Sequence, residues 1–234
     1  MVWSEYLISS SWNPINKRED PAVMSQKIAV IGAGWSGLLA LKTFIADGHT
    51  VECFEKSEQL GGVWVYREST PGGVFRSTIP TSSKCYLHAS DYPLPSELPY
   101  YPHHSEILTY LQNYARNFEL EKHIRTNHTV MRVRKKSNAS GWELLVQCGS
   151  EGKLEKFYFD AIAVCTGQLS TKIDPTDEEI YQGFTGQKLH SSFYKFPTEE
   201  MQGQRILVVG GGESASDIAT ELCTWAKETY LRYP

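Results

Sequence analysis

An α/β fold with two strand-helix-strand units of the dinucleotide-binding kind, the second incomplete, is what this 234-residue sequence predicts. Two glycine runs, Gly32-Ala33-Gly34-Trp35-Ser36-Gly37 and Gly210-Gly211-Gly212-Glu213-Ser214-Ala215, carry the prediction. Each follows a short β-branched apolar run and opens a stretch with helical spacing of its apolar residues. That order gives a Rossmann-like unit its pyrophosphate cradle: a tight turn, exposed backbone amides and a helix N-terminus.

In chain order, Lys27 to Gly32 reads as a strand, Trp35 to Asp47 as a helix and, after the turn at Gly48, Thr50 to Phe54 as a second strand. Gly61-Gly62 and Pro71-Gly72-Gly73 mark loops, and the proline-rich stretch from Tyr92 to Pro102 is irregular backbone. Ser105 is expected to cap a helix that sets Ile107, Leu108, Leu111, Tyr114, Ala115 and Phe118 on one face. Thr129 to Arg134, Trp142 to Cys148 and Lys156 to Phe159 alternate as a small antiparallel meander before a buried strand, Ala161 to Cys165. Arg205 to Val209, Glu213 to Lys227 and Thr229 to Leu231 repeat the opening order, and the repeat is expected to be cut short at Pro234 because a doubly wound sheet needs more parallel strands. Residues 1–26 are expected to be a disordered leader, 27–170 a first nucleotide-binding domain with the inserted meander, and 171–234 a linker with the start of a second domain.

Composition narrows the class. A hydrophobic share of 41% suffices for a core, while 21% charged residues and a net charge of -4 argue against a nucleic-acid partner or an anionic membrane surface. No apolar run approaches the ~20 residues of a membrane-spanning helix. The five cysteines are odd in number and scattered, without C-x-x-C or metal spacing, which fits a reducing, cytoplasmic compartment and no metal site. Two N-x-[ST] matches, at Asn127 and Asn138, are taken as chance because the start lacks a secretory signal's blocks.

The chemistry of the first unit follows from its residues. Gly32 permits the turn, Gly34 lets a diphosphate approach the backbone, and Gly37 allows close helix-to-strand contact, with Trp35 and Ser36 between them. Glu55, at the end of the second strand, can accept from both ribose hydroxyls and repels a 2′-phosphate, so the first site is expected to hold FAD or NAD. In the second unit Gly210, Gly212, Glu213 and Ser214 form the cradle, alanine replaces the third glycine, and no acid ends the following strand. Arg232 stands there instead, and a guanidinium can pair with a 2′-phosphate or remain a solvated surface charge.

Further motifs carry a resemblance. Phe184-Thr185-Gly186 through His190 to Tyr194-Lys195 matches the F-x-G-x-x-x-H-x-x-x-[YF]-[KR] fingerprint, and from about residue 27 to 232 the chain resembles the flavin-containing monooxygenase family. Gly62-Val63-Trp64, with Gly61, is similar to that family's G-G-x-W stretch on the flavin side of the cofactor, and Cys165-Thr166-Gly167 to its [AC]-T-G turn. The resemblance implies FAD in the first unit, NADPH in the second, hydride transfer between them, capture of dioxygen as a flavin hydroperoxide, and oxygenation of an amine nitrogen or a sulfide. It also implies that the fingerprint links the two units. Many members carry an asparagine ten residues before the aspartate of Ser90-Asp91-Tyr92-Pro93; here Thr81 stands in its place, a departure, since a hydroxyl donates one hydrogen bond where an amide offers two ends.

Three rivals stay open. A disulfide reductase needs a redox-active cysteine pair that the spacing does not offer. A Baeyer-Villiger monooxygenase carries Trp and then Pro or Asp where this chain has Tyr194-Lys195. A truncated nucleotide-binding fragment without turnover would expose sheet edges and associate with itself or with a complementing fragment.

Overall fold

The computed structural model describes residues 24–136, 140–167 and 181–233. Most of the expected leader, the sequon at Asn138 and the first part of the expected linker lie outside the described residues. The first unit runs β1 (Lys27–Ile31), α1 (Trp35–Ala46) and β2 (Thr50–Phe54). Then follow α2 (His104–Asn117), β3 (Ile124–Arg125), the meander β4 (His128–Lys135), β5 (Trp142–Cys148) and β6 (Lys153–Phe159), and β7 (Ala161–Val164). The second unit is β8 (Arg205–Val209), α3 (Glu213–Leu222) and β9 (Glu228–Arg232).

β3, β2, β1 and β7 form a parallel sheet in that order, β4 to β6 an antiparallel sheet, and β8 with β9 a two-stranded parallel sheet. The four-stranded sheet is covered on both faces, as parallel sheets require. Ile28, Val30, Val51 and Cys53 lie in one core with Leu38 and Leu41 of α1 and Ile107, Leu111, Tyr114 and Ala115 of α2. On the other face Ala29, Ile31 and Phe54 meet Leu144, Val146 and Phe159 of the meander, with Phe54 edge-on to Phe157 at 5.1 Å. Alternation along β1 and β2 decides which residue joins which layer. Each large side chain so buried contributes ~1.5–3 kcal/mol.

α1 ends where Asp47 gives way to Gly48 at φ +86°, and the Gly48 and His49 amides bond back to the Ile45 and Phe44 carbonyls, so a residue without Cβ closes the helix. The start of α2 differs from expectation. His103, not Ser105, is the N-cap: its ring accepts from the Ser105 amide, and Glu106 accepts from the His103 amide at 2.7 Å. A capping box thus begins two residues earlier, with an imidazole in the role usually held by a short polar side chain. Tyr110 anchors the proline-rich excursion to this helix, accepting from the Ala89 amide at 2.8 Å and donating to the Tyr92 carbonyl at 2.6 Å.

His104 follows the cap and is buried, with Nδ1 unpartnered among the described residues and its ring 4.1 Å from that of His103. Burial first, and then His103, hold its pKa below the ordinary value. Above about pH 6.5 both folded and unfolded chains carry it neutral, so its contribution is whole there. As pH falls, the unfolded chain takes up a proton that the buried ring refuses, and stability is lost progressively down through the folded pKa. We expect the urea midpoint to drop between pH 7.5 and pH 5.5, and to drop less in His104→Phe. An equal drop in both proteins would remove His104 as the cause.

Candidate functional site

At the carboxyl end of the four-stranded sheet three backbone segments converge. The Gly32 amide donates to the Phe54 carbonyl at 2.8 Å with φ +103°, and a Cβ added at Gly32 would stand 3.1 Å from the Cys165 carbonyl carbon and closer still to its oxygen. The end of β7, Cys165-Thr166, therefore lies against the first glycine turn. From the other side, the Gly61 amide donates to the Ala33 carbonyl at 2.9 Å, and a Cβ at Gly62 would meet the Gly34 Cα at 2.9 Å. Gly32, Gly34, Gly62 and Thr166 are thus brought together, and Gly167 follows at φ +75°.

The start of α1 inside this convergence has no side-chain cap and no acid in its first turn. Its leading amides point along the helix axis with the positive end of the dipole, a setting that suits a diphosphate. Ser36 is exposed there, whereas Trp35 turns into the protein, its ring 5.5 Å from that of Tyr110. Val63 is exposed, and Trp64 packs against the core beside the turn.

Glu55 is buried and already committed. Its carboxylate accepts from the Ala33 amide at 2.8 Å, from the Ser57 amide at 2.9 Å and from the Ser57 hydroxyl at 2.5 Å. A carboxylate offers about four acceptor sites, so roughly one remains for a ribose hydroxyl, unless Ser57 turns its hydrogen to the Gln59 carbonyl at 3.0 Å. The sequence suggested the acid but not Ser57, which holds it. Beneath the turn, burial, followed by the nearby Glu55, pushes the Cys53 thiol up to about 12, which makes it inert.

The second unit repeats this geometry. Gly210 donates to the Arg232 carbonyl at 2.9 Å as Gly32 does to Phe54, and Val209 pairs with Arg232 as Ile31 pairs with Phe54. Register therefore makes Tyr233, not Arg232, the counterpart of Glu55, and Arg232 contributes its carbonyl to the turn. Gly212 caps α3 without a side-chain bond, but Glu213 puts an acid in the first turn, so its amide rather than its carboxylate favours a phosphate. Ser214 is exposed, and Ala215, at the third fingerprint position, has its Cβ 3.3 Å from one built on Gly210. This turn is more open than the first and accommodates alanine.

The fingerprint segment joins the two units. His190 caps the short turn Ser191–Phe193, accepting from the Ser192 amide at 3.1 Å. The Gly72 amide donates to the Ser192 carbonyl at 2.7 Å and the Arg76 amide to the Lys195 carbonyl at 2.8 Å. Lys195, only 5% exposed, donates to the Gly72 carbonyl, and burial together with Arg67 lowers its pKa. Tyr194 meets Phe75 edge-on at 5.4 Å and donates to Glu221 of α3 at 2.6 Å, within a core that includes Ile218 and Leu222. One strip of chain thus fastens the loop after Trp64 to α3. Thr81 lies exposed on the loop that follows. We expect Tyr194→Phe to cost ~1.5–3 kcal/mol, the range for a hydrogen bond to a charged group. An unchanged urea midpoint would show that the Glu221 contact holds nothing.

Among the described residues no group of three or more His, Cys, Asp or Glu is placed to hold a metal ion, and no helix is long and apolar enough to cross a membrane. Comparison with known proteins bears on the family and the fold. Flavin-containing monooxygenase 5 from Oryctolagus cuniculus is 39% identical over 215 residues, 88% of this chain and 39% of the relative. Dimethylaniline monooxygenase [N-oxide-forming] 2 from Cavia porcellus is 39% identical over 89% of this chain and 40% of its own length. The chain thus spans about two fifths of the curated relatives it matches. Among solved structures, Tmm from Pelagibacter sp. strain HTCC7211 superposes with a TM-score of 0.80 at 26% identity, covering 88% of this chain and 51% of that one. S-allyl-L-cysteine S-oxygenase from Allium sativum also gives 0.80, at 24% identity over 89% of this chain and 51% of that one, a likeness of fold. The sequence profile described as flavin-binding monooxygenase-like matches residues 25–233, and the chain belongs to that family.

Proposed function

We propose that residues 27–170 bind FAD, that residues 171–234 begin an NADPH site, and that the two serve oxygenation of a soft amine nitrogen or sulfide. The observation that carries this reading is the convergence of Gly32–Gly37, Gly61-Gly62 and Cys165-Thr166 around the uncapped start of α1, with Glu55 held on the same turn. When bound, reduced FAD supplies the oxygen-activating chemistry. The chain's own residues bind and orient: Gly34 leaves room for a diphosphate, amides at α1 neutralise it, and Glu55 accepts from a ribose hydroxyl. Gly62, Val63, Trp64, Thr166 and Gly167 border the place where the rest of the cofactor would extend. At Gly210, Gly212, Glu213 and Ser214 the α3 amides would meet the second diphosphate, and Arg232, one residue before the counterpart of Glu55, would be the cation offered to a 2′-phosphate. Thr81 would offer one hydroxyl hydrogen bond toward the flavin.

A second reading has an observation of its own. Leu207, Val209 and Tyr230 are exposed on the face of β8 and β9 away from α3, whereas the matching face of the first sheet is covered by the meander. FAD binding without turnover, until another copy or a complementing fragment covers that face, fits this exposure. Absorption spectroscopy and calorimetry with FAD test the shared part, and NADPH oxidation with and without a sulfide or tertiary amine separates the readings. Lack of FAD affinity in the folded chain would overturn both.

A further inference from the structure

The net charge of -4 argues against an anionic membrane surface for the chain as a whole, but one sheet face departs from that average. One face of the antiparallel meander packs on the parallel sheet, and the other faces outward. Register places Leu145 opposite both Arg132 and Lys156, and Glu143 opposite Arg134 and Tyr158. Directly paired residues share a face, so these six form the centre of the outer surface. A bulge between Val130 and Arg132 sets Met131 beside Arg132 there, and the inward alternation resumes at Val133. Lys136 completes the patch, its ammonium 5.2 Å from the Tyr158 ring.

Four cations therefore stand against one acid. Lys156 reaches Glu143 at 3.2 Å, while among the described residues Arg132 and Arg134 have no carboxylate within ion-pair distance. Arg132, Arg134, Glu143, Leu145 and Lys156 line a shallow depression of about 80 Å³. Large apolar groups lie on the same face or its edge: Met131 is 56% exposed, Leu154 58% and Tyr158 49%. Cations mixed with exposed Met, Leu and Tyr on a flat sheet match the chemistry of an anionic lipid surface, where the charges meet headgroups and the apolar groups enter the boundary. An acidic protein would satisfy the arginines but would leave Leu154 and Met131 without a stated role, and a nucleic acid would do the same.

We propose that this outer face of β4 to β6 docks peripherally on membranes carrying anionic lipid. The proposal does not depend on FAD or NADPH binding. The test is flotation of the whole chain with vesicles of phosphatidylcholine alone and with roughly one third phosphatidylserine, at low and high salt. We expect flotation only with phosphatidylserine and only at low salt. Arg132→Glu with Arg134→Glu should weaken it on the order of a hundredfold. Leu154→Ser with Tyr158→Ser should weaken it less. Circular dichroism checks that these solvent-facing variants keep the fold. Absence of flotation at low salt overturns the proposal, as does flotation indifferent to the two arginines. Flotation lost in Leu207→Ser with Val209→Ser and kept in the arginine variant would overturn it too, since the bare face of β8 and β9 would then be the contact. Retention of RNA or an acidic protein by this face, without vesicle binding, would assign it to that partner instead.

Discussion

Gly37→Ala will cost about 3 kcal/mol and abolish the FAD binding proposed for this turn, although the change adds one methyl group. Gly37 is buried in the first turn of α1, and its Cβ would stand 2.9 Å from the Gly32 carbonyl carbon and nearer to the oxygen. The obstacle is backbone on the very turn whose shape matters, with the Cys165 side chain 3.5 Å away on the other side. Neither a rotamer change nor a shift of a flexible side chain relieves it, so α1 must move off the sheet and carry its leading amides away from the diphosphate position. Ala215→Gly at the matching place in the second unit is the control. That turn already holds a methyl group, so the change should cost only helix propensity, ~1 kcal/mol. Urea denaturation and FAD calorimetry on both variants give the comparison. Equal costs at the two positions would mean that the first turn is no tighter than the second.

The strand-helix-strand order of both units was legible because it rests on local signals: β-branched runs, glycine spacing and helical period. The meander was legible for the same reason, to within a few residues at its ends. What escaped has a common physical cause. His103 caps α2 through a ring nitrogen, a role that residue type announces weakly, although Glu106 three residues on was a readable sign. Ser57 holds Glu55, but a serine after a strand is usually only a turn residue. The fastening of Gly72–Arg76 to Ser192–Lys195 joins two irregular segments whose partner is chosen by tertiary packing, where periodicity carries no information. Arg232 is a matter of register: residue spacing from Gly210 put it near the critical place, and strand pairing shows it one residue short. A one-residue difference sends a strand side chain to the opposite face.

The repeated geometry also shows what covering does for such a sheet. In the first unit Ala29, Ile31 and Phe54 point away from α1 and are buried by the meander. Their counterparts by register are Leu207, Val209 and Arg232, and these are exposed. The same alternation thus yields a complete core in one unit and a half-covered sheet in the other. Stability should accordingly be unequal, with hydrogen exchange faster in β8 and β9 than in β1 and β2.

Glu55→Gln will separate the structural work of the carboxylate from its proposed contact with ribose. An amide keeps the shape of the side chain but has one acceptor end, whereas the Ala33 amide and the two Ser57 donors approach both carboxylate oxygens. One end must then turn an N–H toward another donor, which leaves a buried donor unsatisfied at ~1–3 kcal/mol. Ser57→Ala removes only the hydroxyl and leaves the Ala33 contact intact, so it should cost ~1 kcal/mol of stability and little FAD affinity. If Glu55 also accepts from ribose, Glu55→Gln should weaken FAD on the order of tenfold to a hundredfold, equivalent to ~1.4–2.7 kcal/mol of binding. The comparison is made by calorimetry at a pH where both variants are folded. Equal FAD affinity in Glu55→Gln and Ser57→Ala would confine Glu55 to bracing the turn, and selectivity against a 2′-phosphate would then have to come from the width of the cleft rather than from charge.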